Sequence, residues 1–224
     1  MILVGAGSHA ARLVSLFGLQ KHITAYSSPT PAIWLNEPRL GDTPLKRFET
    51  DEDALAHPYE IFCMGMGGVR PEQLAKRLEV ARFYGRHKYR AMTLRHDTAF
   101  LASDSGVMEG VQIMNGAQIS AHAIICEHAL INAGAIVEHH ALIGAGSHIA
   151  PGAVILGNVV IGEACMIGAN ATVIEGTKVP DGTMVKANTV WKGVPAGMVV
   201  DPFNRGKLVR EGEEWWLGHE RRAG

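Results

Sequence analysis

Five histidines lie close together in the second half of the chain and are its first candidates for chemistry: His122, His128, His139, His140 and His148. An imidazole has an unperturbed pKa near 6.5, so it can accept a proton at neutral pH, and it is also a common metal ligand. Histidine also occupies backbone positions that need a positive φ, where it has no chemical role. The repeat that positions these five residues separates the two cases.

The histidines belong to a six-residue repeat. An aliphatic residue stands at every sixth position, and the series has no gap: Val107, Ile113, Ile119, Ile125, Ile131, Val137, Ile143, Ile149, Ile155, Ile161, Ile167, Val173, Val179 and Val185, with Trp191 at its end. A small or modest residue follows four positions later. This pattern fits neither a 3.6-residue helix nor a simple two-residue alternation, so each repeat is a short strand and a bend.

The bend falls three residues after each aliphatic position. Apart from Ala164, the residues there are of types that adopt positive φ readily, as a type II turn requires: Gly110, Gly116, His122, His128, Gly134, His140, Gly146, Gly152, Asn158, Asn170, Gly176, Gly182 and Asn188. With the aliphatic and the small residue pointing inward, the repeat predicts a parallel β-helix of stacked coils.

Register then separates the histidines. His122, His128 and His140 occupy the bend, where backbone geometry accounts for them. His139 occupies the position before the bend, where no conformational demand explains a histidine, and His148 occupies an outward position. Seven other outward positions are apolar, which usually indicates a surface covered by a partner, with edge capping and plain surface hydrophobicity as the alternatives: Ile124, Leu130, Ile136, Leu142, Val154, Val160 and Met166.

Residues 1–94 follow a different pattern, in which apolar strands alternate with helices. Strands are predicted at Ile2–Val4, near Ile23–Tyr26 and at Ile61–Met64, and a helix is predicted to begin at Pro71. The Gly5-x-Gly7-x-x-Ala10 turn can place helix N-terminal amides against a phosphate. Residues 21–35 contain no Asp or Glu to hold a ribose, so a nicotinamide-dependent dehydrogenase is rejected.

A nucleotide-binding-like βαβ segment that leads directly into hexapeptide repeats resembles the bacterial nucleotide-sugar N-acetyltransferases of the hexapeptide-repeat acyltransferase family. The segments that carry the resemblance are the glycine turn, Met64-Gly65-Met66-Gly67, His96-Asp97-Thr98-Ala99, Asn132 to His148, and Gly193-Val194-Pro195-Ala196. The resemblance implies an α/β N-terminal domain with a small Rossmann-like parallel sheet, followed by a left-handed, three-sided parallel β-helix with 18 residues per coil. The expected limits are 1–95, 96–198 and a tail at 199–224.

The resemblance also implies the substrates and the site residues. Acetyl-CoA would bind between the subunits of a homotrimer, and the acceptor would be the amine of a UDP- or GDP-linked amino-deoxy sugar. His139 would be the general base, one coil below Gly157, with Asn132 and Glu138 beside it. The expected acetyl-CoA contacts are His148, Gly157 and Met166, and the expected sugar-nucleotide contacts are Gly5, Gly7, Ser8, His9 and Arg70.

Four departures from the family pattern accompany these expectations. His140 stands where relatives carry an acid after the catalytic histidine, so Glu138 or a residue of another subunit would orient His139. Ser8 replaces a usual glycine, and Asp97 a usual proline. Tyr26-Ser27-Ser28 replaces the usual acidic pair, which leaves the base of the nucleotide open.

Composition argues against some classes of partner, and several alternative functions remain. The balance of 21 basic and 22 acidic residues gives no reason to expect nucleic acid or a membrane as a partner. Three cysteines without CxxC spacing fit a cytoplasmic protein. The alternatives are a sugar or sialic acid O-acetyltransferase, a γ-carbonic-anhydrase-like metalloenzyme and a non-catalytic trimeric scaffold. No metal is expected, because only His122 and His140 would stack one coil apart and two ligands make a poor zinc site.

Overall fold

The computed structural model describes residues 1–32, 45–56 and 60–193, together with the backbone of two strands, Met198–Asp201 and Lys207–Arg210. These two strands pair antiparallel, and they are the described part of the expected tail. Residues 194–196 of the family's closing motif lie outside the described residues. The limits of the three expected segments stay predictions.

The N-terminal unit is a five-stranded parallel sheet in the order β3-β2-β1-β4-β5. Strand β1 is apolar and buried at all its positions, as expected of a central strand covered on both faces. The elements follow each other along the chain as β1 (Ile2–Val4), α1 (Ser8–Phe17), β2 (Ala25–Ser27), β3 (Lys46–Phe48), α2 (Asp51–Leu55), β4 (Ile61–Met64), α3 (Pro71–Arg86) and β5 (Arg90–Ala91).

Most of the predicted elements of this unit are confirmed. Strands β1 and β4 and the start of α3 at Pro71 lie where expected, whereas β2 begins two residues after the predicted Ile23. Strands β3 and β5 and the short helix α2 were not predicted. The two strands form the edges of the sheet and contain Lys46, Arg47 and Arg90, so they lack the apolar pattern of a buried strand.

From Leu94 onward the chain forms coils with three faces of parallel two-residue strands. One face, called the docked face below, contains β6 (Leu94–Arg95), β9 (Gln112–Ile113), β12 (Leu130–Ile131), β15 (His148–Ile149), β18 (Met166–Ile167) and β21 (Met184–Val185). The second face contains β7 (Phe100–Leu101), β10 (Gln118–Ile119), β13 (Ile136–Val137), β16 (Val154–Ile155), β19 (Thr172–Val173) and β22 (Val190–Trp191). The third contains β8 (Gly106–Val107), β11 (Ile124–Ile125), β14 (Leu142–Ile143), β17 (Val160–Ile161) and β20 (Lys178–Val179).

The repeat organises these coils as predicted. The aliphatic positions from Ile113 to Val185 and the small positions from Val111 to Ala171 are buried, and they form one continuous core. All fourteen predicted bend residues have positive φ, including Ala164 at 50°. Each residue pairs with the one 18 positions later, as Ile131 does with Ile149, so one coil is 18 residues. The β-helix is left-handed.

The N-terminal unit packs on the docked face of the β-helix. Leu13 of α1 belongs to one apolar cluster with Met114 and Leu130, and Leu74 of α3 belongs to another with Met166. The outward residues Leu130 and Met166 are therefore covered by the chain's own N-terminal unit, and the prediction that a partner covers them was wrong. The outward apolar residues of the other two faces remain half-buried or exposed: Ile124, Ile136, Leu142, Val154 and Val160.

Candidate functional site

A cavity of about 860 Å³ lies between the N-terminal unit and the docked face. It opens at the carboxyl ends of β1 and β4, where the strand order of the sheet reverses, which is where open α/β sheets bind ligands. The loop after β4, Gly65–Gly68, is called the glycine loop below. The lining residues are Gly5, Gly7, Ser8, His9, Arg12, the glycine loop, Val69, Glu72, Gln73, Lys76, Leu130, Asn132 and His148.

Close packing of two loops explains the glycines at this edge. Gly5 has φ of 83°, and a Cβ there would lie 2.5 Å from Cγ of Met66. A Cβ on Gly65 would lie 2.4 Å from the carbonyl oxygen of Gly5. A Cβ on Gly7, the N-cap of α1, would meet nothing within 4 Å. The turn before α1 thus packs on the glycine loop while its Gly7 side stays open.

The beginnings of the two long helices both line this cavity. Helix α1 starts at Ser8 without a side-chain cap, and helix α3 starts at Pro71, also without one. The N-terminus of α1 presents free N–H groups and a partial positive charge, so it attracts anions, whereas α3 begins with Pro71, which has no N–H, and contributes mainly its partial positive charge. The charged side chains on the wall are Arg12, Lys76 and Glu72. This end of the cavity is suited to a phosphate group.

A hydrogen-bonded chain joins α1, the docked face and the glycine loop. Nη1 of Arg12 donates to Oδ1 of Asn132 at 2.8 Å, and the backbone N–H of Ala133 donates to the same oxygen. Because Oδ1 accepts these bonds, Nδ2 of Asn132 donates to Nε2 of His148 at 3.0 Å. The proton of that imidazole is therefore on Nδ1, which donates to the carbonyl oxygen of Gly68 at 2.7 Å. Both ring nitrogens of His148 are engaged.

His9 is held in the same way. Nε2 of the buried Gln112 donates to the carbonyl oxygen of Met64, so its Oε1 accepts from Nε2 of His9 at 2.9 Å. Burial lowers the pKa of His9 and that of His148 to about 4, and each imidazole is neutral at pH 7. Each of these histidines is thus a weak base, and at least one of its ring nitrogens is already hydrogen-bonded.

His139 lies at a different place, on the bend between the second and third faces, and its side chain is exposed. Its Nδ1 is 3.3 Å from Nδ1 of His140, and no described residue contacts its Nε2 by a hydrogen bond. The ring packs over Gly157, where a Cβ would lie 2.5 Å from Cε1 of His139. The backbone N–H of Gly157 has no acceptor among the described residues. Glu138, which directly precedes His139, is half-buried.

The predicted site residues thus form two groups. Gly5, Gly7, Ser8, His9, Asn132 and His148 line the cavity, whereas His139 and Gly157 meet at the bend. One whole face of the β-helix separates Asn132 from His139, about five extended residues or roughly 16 Å at ~3.3 Å per residue. Arg70 is exposed outside the lining, and Met166 is buried in the apolar cluster that contains Leu74, so the structure brings neither into the cavity.

Sequence reasoning missed several residues of the cavity. Arg12 follows Ser8 by one helical turn, so the two share a face of α1, and this spacing could have revealed it. Gln112 is a polar residue in an outward column that is otherwise largely apolar. Gln73 and Lys76 gave no signal, because they are ordinary residues of an amphipathic helix. In the described part of the chain no three side chains of the metal-ligating types come together.

Comparisons with known proteins agree with this architecture. The model of the bacterial transferase hexapeptide matches residues 122–157, and that of the hexapeptide repeat of succinyl-transferase matches residues 158–190. No curated protein sequence matches the chain. Among helices in the described ranges, none has the length and apolar character needed to cross a membrane.

Several solved structures are similar over most of the chain. A variant of perosamine N-acetyltransferase from Caulobacter crescentus, in complex with CoA and GDP-perosamine, has a TM-score of 0.72 and 25% identity, covering 86% of this chain and 88% of that one. PerB from the same organism, with the same ligands, has a TM-score of 0.71 and 24% identity over the same shares. The acetyltransferase domain of PglB from Neisseria gonorrhoeae has a TM-score of 0.70 and 21% identity, covering 88% and 93%.

The matches concern both the fold of the chain and its activity. The repeat models match residues 122–190, which lie within the three-faced coils, and the structural similarity extends over 86% of the chain. The chain is an acyltransferase with hexapeptide repeats over residues 122–190, and it has an α/β N-terminal unit ahead of a left-handed β-helix.

Proposed function

We propose that this protein is an acetyl-CoA-dependent N-acetyltransferase that acetylates the amine of a nucleotide-linked amino-deoxy sugar in the cytoplasm. The observation that carries the proposal is the cavity at the edge of the sheet, where two uncapped helix N-termini and the glycine loop face the docked face of an acyltransferase coil. The similarity to a perosamine N-acetyltransferase in complex with CoA and GDP-perosamine supports the same substrate class.

The nucleotide end of the substrate would occupy the N-terminal side of the cavity. The amides of Ser8 and His9 at the start of α1 would bind the diphosphate, with Arg12 and Lys76 as the nearby cations. Because His9 is neutral and only its Nε2 is hydrogen-bonded, its Nδ1 can accept a hydrogen bond from a sugar hydroxyl without adding charge. The volume of about 860 Å³ lies in the upper part of the range typical of small-molecule sites.

His139 would be the general base. The sugar amine attacks the thioester carbonyl carbon of acetyl-CoA, and Nε2 of His139 accepts the proton that the amine loses. The carbonyl oxygen becomes an oxyanion, to which the free N–H of Gly157 can donate. When the carbon–sulfur bond breaks, the protonated His139 returns the proton to the CoA thiolate. A positioned base of this kind contributes roughly 10²–10⁴-fold in rate.

The distance between His139 and the cavity implies that two subunits form each site. Within one chain a whole face of the β-helix separates the base from Asn132 and His148, so a second copy would bring its own His139 to this cavity. The second and third faces of the β-helix carry exposed apolar side chains suited to subunit contact: Phe100, Ile124, Ile174 and Val190. A homotrimer places three such sites between neighbouring subunits, with acetyl-CoA in the same clefts.

Turnover tests this proposal directly. The protein is incubated with acetyl-CoA and a panel of UDP-, GDP- and dTDP-linked 4-amino sugars while the release of CoA thiol is followed. Matched sugars with a hydroxyl in place of the amine distinguish N- from O-acetylation. We expect thiol release with an amino sugar and its loss by at least 100-fold in His139→Ala. Activity only with the hydroxyl sugars, or full activity of the variant, would contradict the proposal.

A further inference from the structure

Arg77 is the largest fully buried side chain of the described residues. It lies in the middle of α3, and its guanidinium is between the N-terminal unit and the β-helix. Nε donates to the carbonyl oxygen of Met66 at 2.9 Å, and Nη1 donates to the carbonyl oxygen of His128, a bend residue of the coil. One side chain therefore binds the glycine loop and the β-helix at the same time.

This buried cation has no anionic partner in the described part of the chain. None of the ion pairs there includes Arg77, and its Nη2 has no hydrogen-bond acceptor. Burial lowers the pKa of Arg77 to about 10, so the guanidinium keeps its charge at neutral pH. Burying a charge without a counter-charge is costly, and proteins rarely keep one without a reason.

The contacts of Arg77 complete a pattern in the glycine loop. Three alternate carbonyl groups, of the last residue of β4 and of the loop, accept hydrogen bonds: Met64 from Gln112, Met66 from Arg77 and Gly68 from His148. The intervening backbone N–H groups at 66–68 have no acceptor among the described residues. Because the loop lines the cavity, these unpaired N–H groups are the backbone donors that it can offer to an anion there.

The charge of Arg77 also extends to the cavity walls. Beside burial, its positive charge disfavours protonation of both His9 and His148, each of which lines the cavity. An anion bound against the glycine loop would therefore experience Arg77 as a nearby, weakly screened positive charge. Arg77 does not line the cavity itself, so it acts through the loop and through its field.

We propose that Arg77 is a positioning residue for the substrate diphosphate, because it presents the amides of the glycine loop to the phosphates and supplies the charge that they neutralise. The inference rests on the proposed function, since it assigns a phosphate-bearing substrate to the same cavity. It adds a determinant of substrate affinity that touches neither the substrate nor the reacting atoms.

The test compares two Arg77 variants with a control on the same helix. Arg77→Met removes the charge and both hydrogen bonds, whereas Arg77→Lys keeps the charge but cannot span two carbonyl groups in the same way. Arg82→Met removes an equal charge from α3, where Arg82 pairs at the surface with Glu127 and Glu163. For each variant we would measure binding of inorganic pyrophosphate by calorimetry at several salt concentrations, both KM values, and thermal unfolding.

We expect Arg77→Met to weaken pyrophosphate binding and to raise KM for the nucleotide sugar, each by roughly tenfold, because a unit charge acts across a low-dielectric interior. KM for acetyl-CoA should stay within twofold, Arg77→Lys should recover part of the affinity, and Arg82→Met should match the wild type. Loss of charge should also make pyrophosphate binding less dependent on salt. Unchanged pyrophosphate binding in a folded Arg77→Met variant overturns the proposal, and so does an equal rise of both KM values.

If Arg77→Met does not fold, Arg77→Lys tests whether Arg77 has the positioning role. Weaker pyrophosphate binding with an unchanged KM for acetyl-CoA supports the positioning role, and unaltered pyrophosphate binding overturns it. Pyrophosphate binding requires no acetyl transfer, so it is measured even if no amino sugar is a substrate. Failure of the wild-type protein to acetylate any sugar would therefore refute the proposed function separately from the role of Arg77.

Discussion

Replacing Gly157 with alanine is the sharpest test of the pair formed by this glycine and His139. A Cβ at this position would lie 2.5 Å from Cε1, 2.7 Å from Nε2 and 3.1 Å from Nδ1 of the His139 ring. All three neighbours belong to one imidazole, which is the exposed end of a side chain and not backbone. Gly157 does not have a positive φ, so alanine meets no backbone strain there.

The size of the effect follows from these distances. Carbon atoms in contact lie about 3.5 Å apart or more, so the ring must retreat by about 1 Å. A misplacement of about 1 Å can cost on the order of 100-fold in rate, which lies within the range for removing the base altogether. The free energy of unfolding should change by less than about 1 kcal/mol, because the displaced side chain moves into solvent.

The assay is steady-state thiol release, with thermal unfolding measured on the same samples. We expect kcat of Gly157→Ala to fall by roughly 100-fold at an unaltered melting temperature, and the double variant with His139→Ala to be no slower than His139→Ala alone. Gly106→Ala is the matched control, since a Cβ there meets only Cγ1 of Ile124 at 3.8 Å. Alanine keeps the backbone N–H, so the loss reports on the ring. Wild-type kcat in Gly157→Ala, with His139 still essential, would refute the reasoning.

Three further predictions concern stability and assembly. Burial lowers the pKa of His9, His128 and His148 to about 4, below the unfolded value of about 6.5, so the unfolded chain binds more protons between these pH values. Chemical denaturation should therefore show the free energy of unfolding falling by several kcal/mol as the pH drops from about 6.5 to 4, and a flat profile would contradict this. Gly65→Ala should lower stability by about 1–3 kcal/mol, because its Cβ would lie 2.4 Å from a backbone oxygen, whereas Gly85→Ala on α3 meets nothing within 4 Å and should raise the melting temperature. Mixing His139→Ala with Asn132→Ala subunits during refolding should restore activity that neither variant has alone, and no recovery would place each site within one chain.

The β-helix could be predicted almost completely because its structure is local. Each six-residue repeat supplies its own inward residues and its own bend, so the positions of Ile131 or His140 follow from register alone. The exception at Ala164 shows how strongly the stack imposes the bend, since alanine adopts φ of 50° there. The sheet edges β3 and β5 could not be predicted, because charged edge strands have no distinctive pattern.

The packing of the N-terminal unit on the β-helix could not be predicted from the sequence. It depends on contacts between residues far apart in the chain, such as Leu13 with Leu130 and Arg12 with Asn132. An outward apolar residue looks the same in sequence whether its cover comes from the same chain or from a partner. This is why Leu130 and Met166 were assigned to a partner surface, and why Arg77 was overlooked.

Structure and register together reduce the five histidines to one candidate base. His122, His128 and His140 have the positive φ of the bend, which accounts for their presence. His148 lacks that explanation, but both its nitrogens are engaged and burial lowers its pKa to about 4, so it cannot accept a proton at neutral pH. His139 alone combines a position that no backbone demand explains with an exposed ring and an unengaged Nε2. The proposal that His139 is the base thus rests on two independent requirements, one from the repeat and one from the hydrogen bonds.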